Sequence, residues 1–147
     1  MIAIGSDHAG VDLKEKVKQY LTDNNIEYKD FGTYTKDSVD YPDIAIEVAK
    51  EVASQKAEKG ILICGTGIGM SIVANKVNGI RCALCHDENT ARLSKQHNNA
   101  NIIAVGARVL EDEVAIKIID TWLNEQFEER HQKRLDKIKK YEGSKEQ

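Results

Sequence analysis

Short apolar runs alternate along this chain with longer amphipathic segments, and that alternation constrains the fold more than any other feature. Four runs, bounded by glycine or polar residues, lie at Met1–Gly5, Gly60–Cys64, Cys82–Cys85 and Ile102–Gly106. A weaker fifth run spans Ile26–Phe31. Short runs rich in Ile, Val, Leu, Ala or Cys are typical of strands buried on both faces of a parallel sheet. The sequence therefore predicts five strands.

The segments between the runs carry apolar residues at helical spacing, as at Leu13, Val17 and Leu21. Pro42, the single proline, suits the first turn of a helix. Strand–helix units in series predict a single-domain, three-layer α/β/α fold with a Rossmann-like, five-stranded parallel sheet. An extra C-terminal helix is expected from Glu128 to Tyr141. One domain spans residues 1–147, with a charged and mobile tail expected at 142–147, and the strand order stays open.

Composition excludes several classes of function. A formal net charge of -3 leaves no basic excess to displace counterions from a nucleic acid, so we expect no nucleic-acid partner. No apolar run reaches the length of a membrane span, and the first residues lack the features of a signal peptide. Three cysteines fit reduced thiols better than a disulfide framework. We therefore expect a soluble, cytoplasmic protein with no membrane partner.

A glycine-rich segment follows the third strand, where ligands bind in open α/β sheets. Gly65, Gly67 and Gly69 allow successive backbone N–H groups to turn toward one point, which favours an anion. The third glycine of a dinucleotide fingerprint would fall at Met70, and no P-loop lysine follows. The segment therefore predicts either an anion site or simply a tight turn.

Cys64 stands at the mouth of this glycine loop. A thiol beside a helix N-terminus is a usable base or nucleophile, although a cysteine at a strand end is often only a small buried hydrophobe. Cys82 and Cys85 are three residues apart in a predicted strand and should point to opposite faces, which assigns them to packing. The four histidines lack ligand spacing with the cysteines, so no metal is expected.

Two arginines near the C-terminus offer a further anion site. Arg130 and Arg134 are four residues apart and are predicted to share one helical face, where they could clamp a phosphate. The alternative is that they pair on the surface with neighbouring carboxylates. The sequence pattern leaves both interpretations open.

Five motifs, in this order, make the chain resemble the type B ribose-5-phosphate isomerases over residues 1 to about 135. The group also includes allose-6-phosphate isomerases and galactose-6-phosphate isomerase subunits. The motifs are Ser6–Gly10, Asp40–Asp43, Gly60–Gly69, Gln96–Asn98 and Gly106–Arg108.

The resemblance implies a role for each matching residue. Cys64 would be the base that moves the proton, and His97 the acid that opens the furanose ring. Thr66 would assist proton movement between the reacting oxygens. The substrate-binding residues implied by the resemblance are Asp7, His8, Gly65, Gly67, Ile68, Gly69 and Asn98, with Arg108, Arg130 and Arg134 on the phosphate.

The resemblance also implies a small sugar phosphate as substrate, no cofactor, and a homodimer whose sites are shared between subunits, with His97 reaching the partner's Cys64. The preference for a five- or six-carbon sugar and the choice between dimer and tetramer stay open. Two other classes also remain: a non-catalytic, flavodoxin-like phosphate-binding module, and a thiol-based redox or transferase enzyme that uses Cys64 as a nucleophile.

Overall fold

Five parallel strands form the central sheet in the computed structural model, which describes residues 1–145. The strands are β1 (Ile2–Ser6), β2 (Tyr28–Asp30), β3 (Lys59–Cys64), β4 (Cys82–Leu84) and β5 (Ile102–Gly106). Their order is β2-β1-β3-β5-β4, and every neighbouring pair is parallel. From β1 the chain adds β2 on one side of the sheet, and from β3 it adds the remaining strands on the other side. The switch point therefore lies between β1 and β3, which is where ligands bind in folds of this class.

Helices cover both faces of the sheet, as the alternating pattern predicted. They are α1 (Val11–Asp23), α2 (Tyr41–Ala53), α3 (Ile68–Ala74), α4 (Glu88–Gln96), α5 (Asp112–Asn124) and α6 (Gln132–Lys145). One apolar core joins the sheet to α1, α4 and α5, and a second joins it to α2 and α3. Pro42 lies in the first turn of α2, as expected. The three-layer α/β/α prediction is confirmed. None of the helices described is long and apolar enough to cross a membrane.

The C-terminal helix differs from its predicted form. A 3-10 turn occupies Glu129–His131, and the α-helix begins only at Gln132. The backbone N–H of Glu128 donates to the carbonyl of Gln96 (2.9 Å), which holds this segment against the end of α4 before the helix starts. Arg130 therefore lies in the 3-10 turn and Arg134 in the α-helix that follows it, rather than both in one α-helix as expected.

The predicted charged tail begins inside this last helix. Helix α6 continues to Lys145, so residues 142–145 are helical, whereas residues 146 and 147 lie outside the described part of the chain. Of the predicted apolar stripe on α6, Leu135 is buried, while Ile138 and Tyr141 are exposed.

Lys14 is a fully buried charge that the sequence pattern did not reveal. It lies on α1, and its Nζ donates to Asp30 Oδ1 (2.7 Å) and to the carbonyl of Thr33. Burial opposes the charge on Asp30, but hydrogen bonds from Lys14, Gly32 and Lys18 outweigh that effect and hold the pKa of Asp30 below its usual value. A buried pair of this kind is costly to break, since it leaves one charge without its partner.

We expect Lys14→Met to lower the free energy of unfolding by about 3 kcal/mol, because Asp30 would remain buried without its main partner. Urea denaturation measures the loss. Lys16→Met is the matched control, since Lys16 lies on the same helix but pairs with Asp112 in solvent. Because the pKa of Asp30 is lowered, its stabilising contribution is present at neutral pH and lost as the solution becomes acidic. An equal effect of the two substitutions would contradict this account.

Candidate active site

Cys64 ends β3 at the carboxyl edge of the sheet and is only 5% exposed. Its Sγ accepts a hydrogen bond from the backbone N–H of Gly67 (3.1 Å). An N–H donor aimed at sulfur stabilises negative charge there. The strand end and the glycine loop therefore form one unit, in which the loop backbone is turned toward the thiol.

Two glycines make this loop geometry possible. Gly67 has a φ of +83°, a conformation that side chains disfavour, and it stands immediately before α3. Gly106, at the end of β5, lies so close to the loop that a Cβ there would be 2.6 Å from the carbonyl carbon of Thr66. The loop consequently rests directly on the end of β5, and Thr66 and Ile68 are exposed above it.

Other predicted site residues gather around this loop at the carboxyl edge. Arg108 packs its side chain against Gly65, and its backbone N–H donates to the Gly65 carbonyl (2.9 Å). Asp7 follows β1, and its Oδ1 accepts from the N–H of Ala9 (2.9 Å). The Nδ1 of His8 accepts from the N–H of Val39 (3.3 Å). We call Cys64, the loop 65–69, Asp7, His8 and Arg108 the Cys64 group.

The other two cysteines are unlike Cys64. Cys82 belongs to the core with α2 and α3, whereas Cys85 belongs to the core with α1, α4 and α5, so the two point to opposite faces as predicted. Burial raises the pKa of Cys82 to about 12 and also raises the pKa of Cys85. Both therefore remain protonated thiols near neutral pH.

A second cluster forms around His97, which follows the last residue of α4. His97 Nε2 lies 3.7 Å from Glu128 Oε1, and the ring centroids of His97 and His131 are 4.6 Å apart. The same Glu128 oxygen accepts from Arg130 Nη2 (3.2 Å). We call His97, Asn98, Glu128, Arg130, His131 and Arg134 the His97 group.

The ring of His131 is held in one tautomer. Arg134 Nη1 lies 3.2 Å from His131 Nδ1 and can only donate, so the neutral ring carries its proton on Nε2. Burial and the charges of Arg130, His97 and Arg134 lower the pKa of His131, which favours that neutral ring. His131 Nε2 is buried, and its distance of 3.7 Å to Glu128 Oε1 is too long for a hydrogen bond.

Ligand atoms of His97, Glu128 and His131 lie within 4.8 Å of one another, a spacing that a metal ion could bridge. The donor set does not favour a cation, because the Nε2 atom of His131 that faces the group is the protonated one. Arg130 and Arg134 also bring two positive charges. The arrangement is better suited to holding an anion or moving a proton.

The two groups lie at opposite ends of the sheet within one chain. Cys64 pairs with Gly106 at the carboxyl ends of β3 and β5, whereas His97 precedes β5 at its amino end. The five residues of β5 separate these ends by about 15 Å. The structure therefore brings Arg108 to Cys64, but it does not bring Arg130, Arg134, Asn98 or His97 to the Cys64 of the same chain.

Sequence reasoning missed Tyr41, Glu128 and His131 as site residues. The ring of Tyr41 lies over Gly69, where a Cβ would be 2.6 Å from the ring, so it borders the glycine loop. The sequence signal was present for Tyr41, because it lies inside the Asp40–Asp43 motif. Glu128 and His131 are about thirty residues from His97 in sequence, and only the fold brings them together.

The ribose/galactose isomerase family model matches residues 2–138. This chain belongs to the ribose/galactose isomerase family. The match covers both the Cys64 group and the His97 group, and it confirms the resemblance noted in the sequence. The protein is accordingly an isomerase.

Individual members of the family are similar over most of their length. The chain is 46% identical to ribose-5-phosphate isomerase B of Escherichia coli over 138 residues, which is 93% of each protein. It is 48% identical to the D-erythrulose-4-phosphate isomerase of Pectobacterium atrosepticum, over 86% of this chain and 84% of that one. The solved structure of ribose-5-phosphate isomerase B from Clostridium thermocellum superposes with a TM-score of 0.95, at 48% identity and 97% coverage of each chain. The names of these relatives thus specify different sugar phosphates as substrates.

Proposed function

We propose that this isomerase interconverts ribose 5-phosphate and ribulose 5-phosphate, with Cys64 as the base. The observation that carries the proposal is the hydrogen bond from the backbone N–H of Gly67 to Cys64 Sγ. It lies in a glycine-rich loop whose backbone N–H groups favour an anion. The similarity to ribose-5-phosphate isomerase B of E. coli supports the choice of substrate. The product would enter pentose phosphate metabolism.

The reaction moves one proton between adjacent carbons. The Cys64 thiolate takes the proton from C2 of the open aldose, which gives an enediolate. The thiol then returns that proton to C1, while a hydroxyl proton passes from O2 to O1. Thr66 is exposed on the loop and suits that second transfer, and the amides of 65–69 stabilise the developing oxyanion. The enzyme is unchanged at the end of the cycle.

Ribose 5-phosphate must first open its ring, and we assign the acid for that step to His97. Glu128 acts through His97 as a positioning residue, because its Oε1 lies between His97 Nε2 and Arg130 Nη2. A carboxylate at 3.7 Å from Nε2 restricts the orientation of the His97 ring. Asn98 would bind sugar hydroxyls, and Asp7 and His8 would contact the substrate from the other side.

A second copy of the chain would bring the two separated groups together. In a homodimer with a two-fold axis, the Cys64 group of one subunit would face the His97 group of its partner, which gives two equivalent sites. The phosphate would then be held by Arg108 from one chain and by Arg130 and Arg134 from the other. The exposed side chains of all three arginines are consistent with that arrangement.

A substrate panel tests the proposal. The purified protein is assayed with ribose 5-phosphate, allose 6-phosphate, galactose 6-phosphate and D-erythrulose 4-phosphate. We expect the highest kcat/KM with ribose 5-phosphate. A higher kcat/KM with a six-carbon or four-carbon sugar phosphate would change the proposed substrate but leave the assignment as an isomerase unchanged. A protein inert toward all four would instead favour a phosphate-binding module.

Glu128→Gln should weaken turnover of ribose 5-phosphate about 10-fold and leave the reverse reaction nearly unchanged. Ribulose 5-phosphate cannot close a furanose ring, because its C5 oxygen carries the phosphate. The reverse reaction therefore starts from an open chain and can release open-chain ribose 5-phosphate, which closes its ring in solution without the enzyme. Without the carboxylate, the His97 imidazole loses the neighbour that orients it, so the loss should be confined to the direction that begins with a closed ring. Initial rates in both directions measure the difference.

Glu129→Gln is the control, since it removes the same charge one residue away. Equal losses in the two directions would show that Glu128 is merely structural. His97→Ala should follow the same directional pattern with a larger effect. If it loses equal activity in both directions, ring opening is not its role.

A further inference from the structure

A cleft of about 950 Å³ opens at the amino ends of β3, β4 and β5, between these strand ends and one side of α6. Its size is within the range of small-molecule sites. Cys64 does not line it, and neither do the arginines of the His97 group. The cleft is therefore a feature separate from the proposed reaction site.

Three basic side chains converge in this cleft. Lys59 begins β3, Arg81 precedes β4, and Lys95 lies in the last turn of α4. Lys59 Nζ and Lys95 Nζ each lie 5.8 Å from the ring centroid of Trp122, and the two side chains interact with each other directly. Arg81 Nε donates to the carbonyl of Asn99 (3.0 Å), which holds the guanidinium beside them.

These cations have no close carboxylate partner. Within residues 1–145, none of the three forms an ion pair with a carboxylate within 4.0 Å. Burial and the charges of Lys59 and Arg81 lower the pKa of Lys95 to about 8. Burial also lowers the pKa of Arg81. The positive charges of the cluster therefore repel one another, and a bound anion would reduce that repulsion.

The acidic groups that line the cleft do not neutralise this cluster. On α6, Asp136 accepts from Gln132 Nε2 (2.9 Å), and Glu142 accepts from the N–H of Gly79 (2.7 Å) while acting on Arg81 only at a distance. Glu58 lies beside Lys59, and Lys139 adds a further positive charge from α6. Four cations therefore face three carboxylates, with the cations concentrated on the wall that β3, β4 and α4 form.

We propose that this cleft binds a small anion bearing one or more phosphate groups, held by Lys59, Arg81 and Lys95. Ammonium and guanidinium groups are the usual protein partners of phosphate oxygens. The polar groups around the cluster, including Asn99 and Asn101, suit the remainder of such a molecule. The site does not depend on the chemistry assigned to Cys64.

Inorganic pyrophosphate is a suitable probe, titrated into the full-length protein by calorimetry at pH 8.5 in two buffers of different ionisation enthalpy. Anion binding should raise the proton affinity of Lys95, so wild type should take up more protons on binding than Lys95→Met. We expect Lys95→Met and Lys59→Met to weaken binding at least about 10-fold. Both keep a long apolar stem, and both should retain wild-type isomerase activity.

Lys50→Met is the matched control, because it removes one charge from an exposed position on α2 outside the cleft. Unchanged affinity in Lys50→Met and reduced affinity in the two cleft variants would support the site. Equal affinity in wild type, Lys95→Met and Lys59→Met would overturn it. Absence of binding by wild type, or an equal loss in Lys50→Met, would also overturn it.

Discussion

Replacing Cys64 by alanine should lower kcat for ribose 5-phosphate by about 10³-fold, because it removes the base assigned to the C2 proton. The substitution removes only a sulfur that is already buried, so the fold should be retained. KM should change little, since the glycine loop and the arginines still bind the substrate. Steady-state kinetics in both directions measure the loss, which should be equal in the two directions because proton transfer is common to both.

Cys82→Ala and Cys85→Ala are the matched controls for that experiment. Both thiols are packed in the core, with pKa values raised by burial, so their removal should reduce stability and spare activity. Iodoacetate should alkylate Cys64 before either of them, and substrate should slow that reaction. Substantial turnover by Cys64→Ala would contradict the assignment of the base.

Much of the fold could be predicted from the sequence, because buried parallel strands leave a strong local pattern. The four strong apolar runs became β1, β3, β4 and β5 within one residue at each end, and the weaker run became the short β2. The strand order could not be predicted, since β4 at the sheet edge and β5 in the interior carry similar apolar runs. The start of α6 was misplaced because a contact between Glu128 and Gln96, distant in sequence, decides where that helix begins.

The candidate site likewise has one part that could be predicted from the sequence and one part that could not. The Cys64 group follows strand ends, so its members could be found by locating the carboxyl ends of the predicted strands. The His97 group joins the end of α4 to the turn before α6, and neither periodicity nor spacing indicates that contact. Lys14 and Lys95 show the same difficulty, because a buried or crowded lysine resembles a solvated one in sequence.

The proposal that each site draws residues from two subunits can be tested by mixing two inactive variants. Cys64→Ala and His97→Ala subunits should each be nearly inactive with ribose 5-phosphate as homodimers. If equal amounts are unfolded together and refolded, half of the random dimers contain one subunit of each kind. Each mixed dimer then has one site with an intact Cys64 from one chain and an intact His97 from the other, and its second site lacks both.

The activity of that refolded mixture shows whether Cys64 and His97 of different subunits form one site, with refolded wild type as the reference and native mass spectrometry to count mixed dimers. We expect recovery to about a quarter of the wild-type activity, since half of the dimers carry one working site of two. If Cys64 and His97 instead served one site within a single chain, every mixed dimer would contain only damaged sites. Mixed dimers without recovered activity would therefore contradict the shared site.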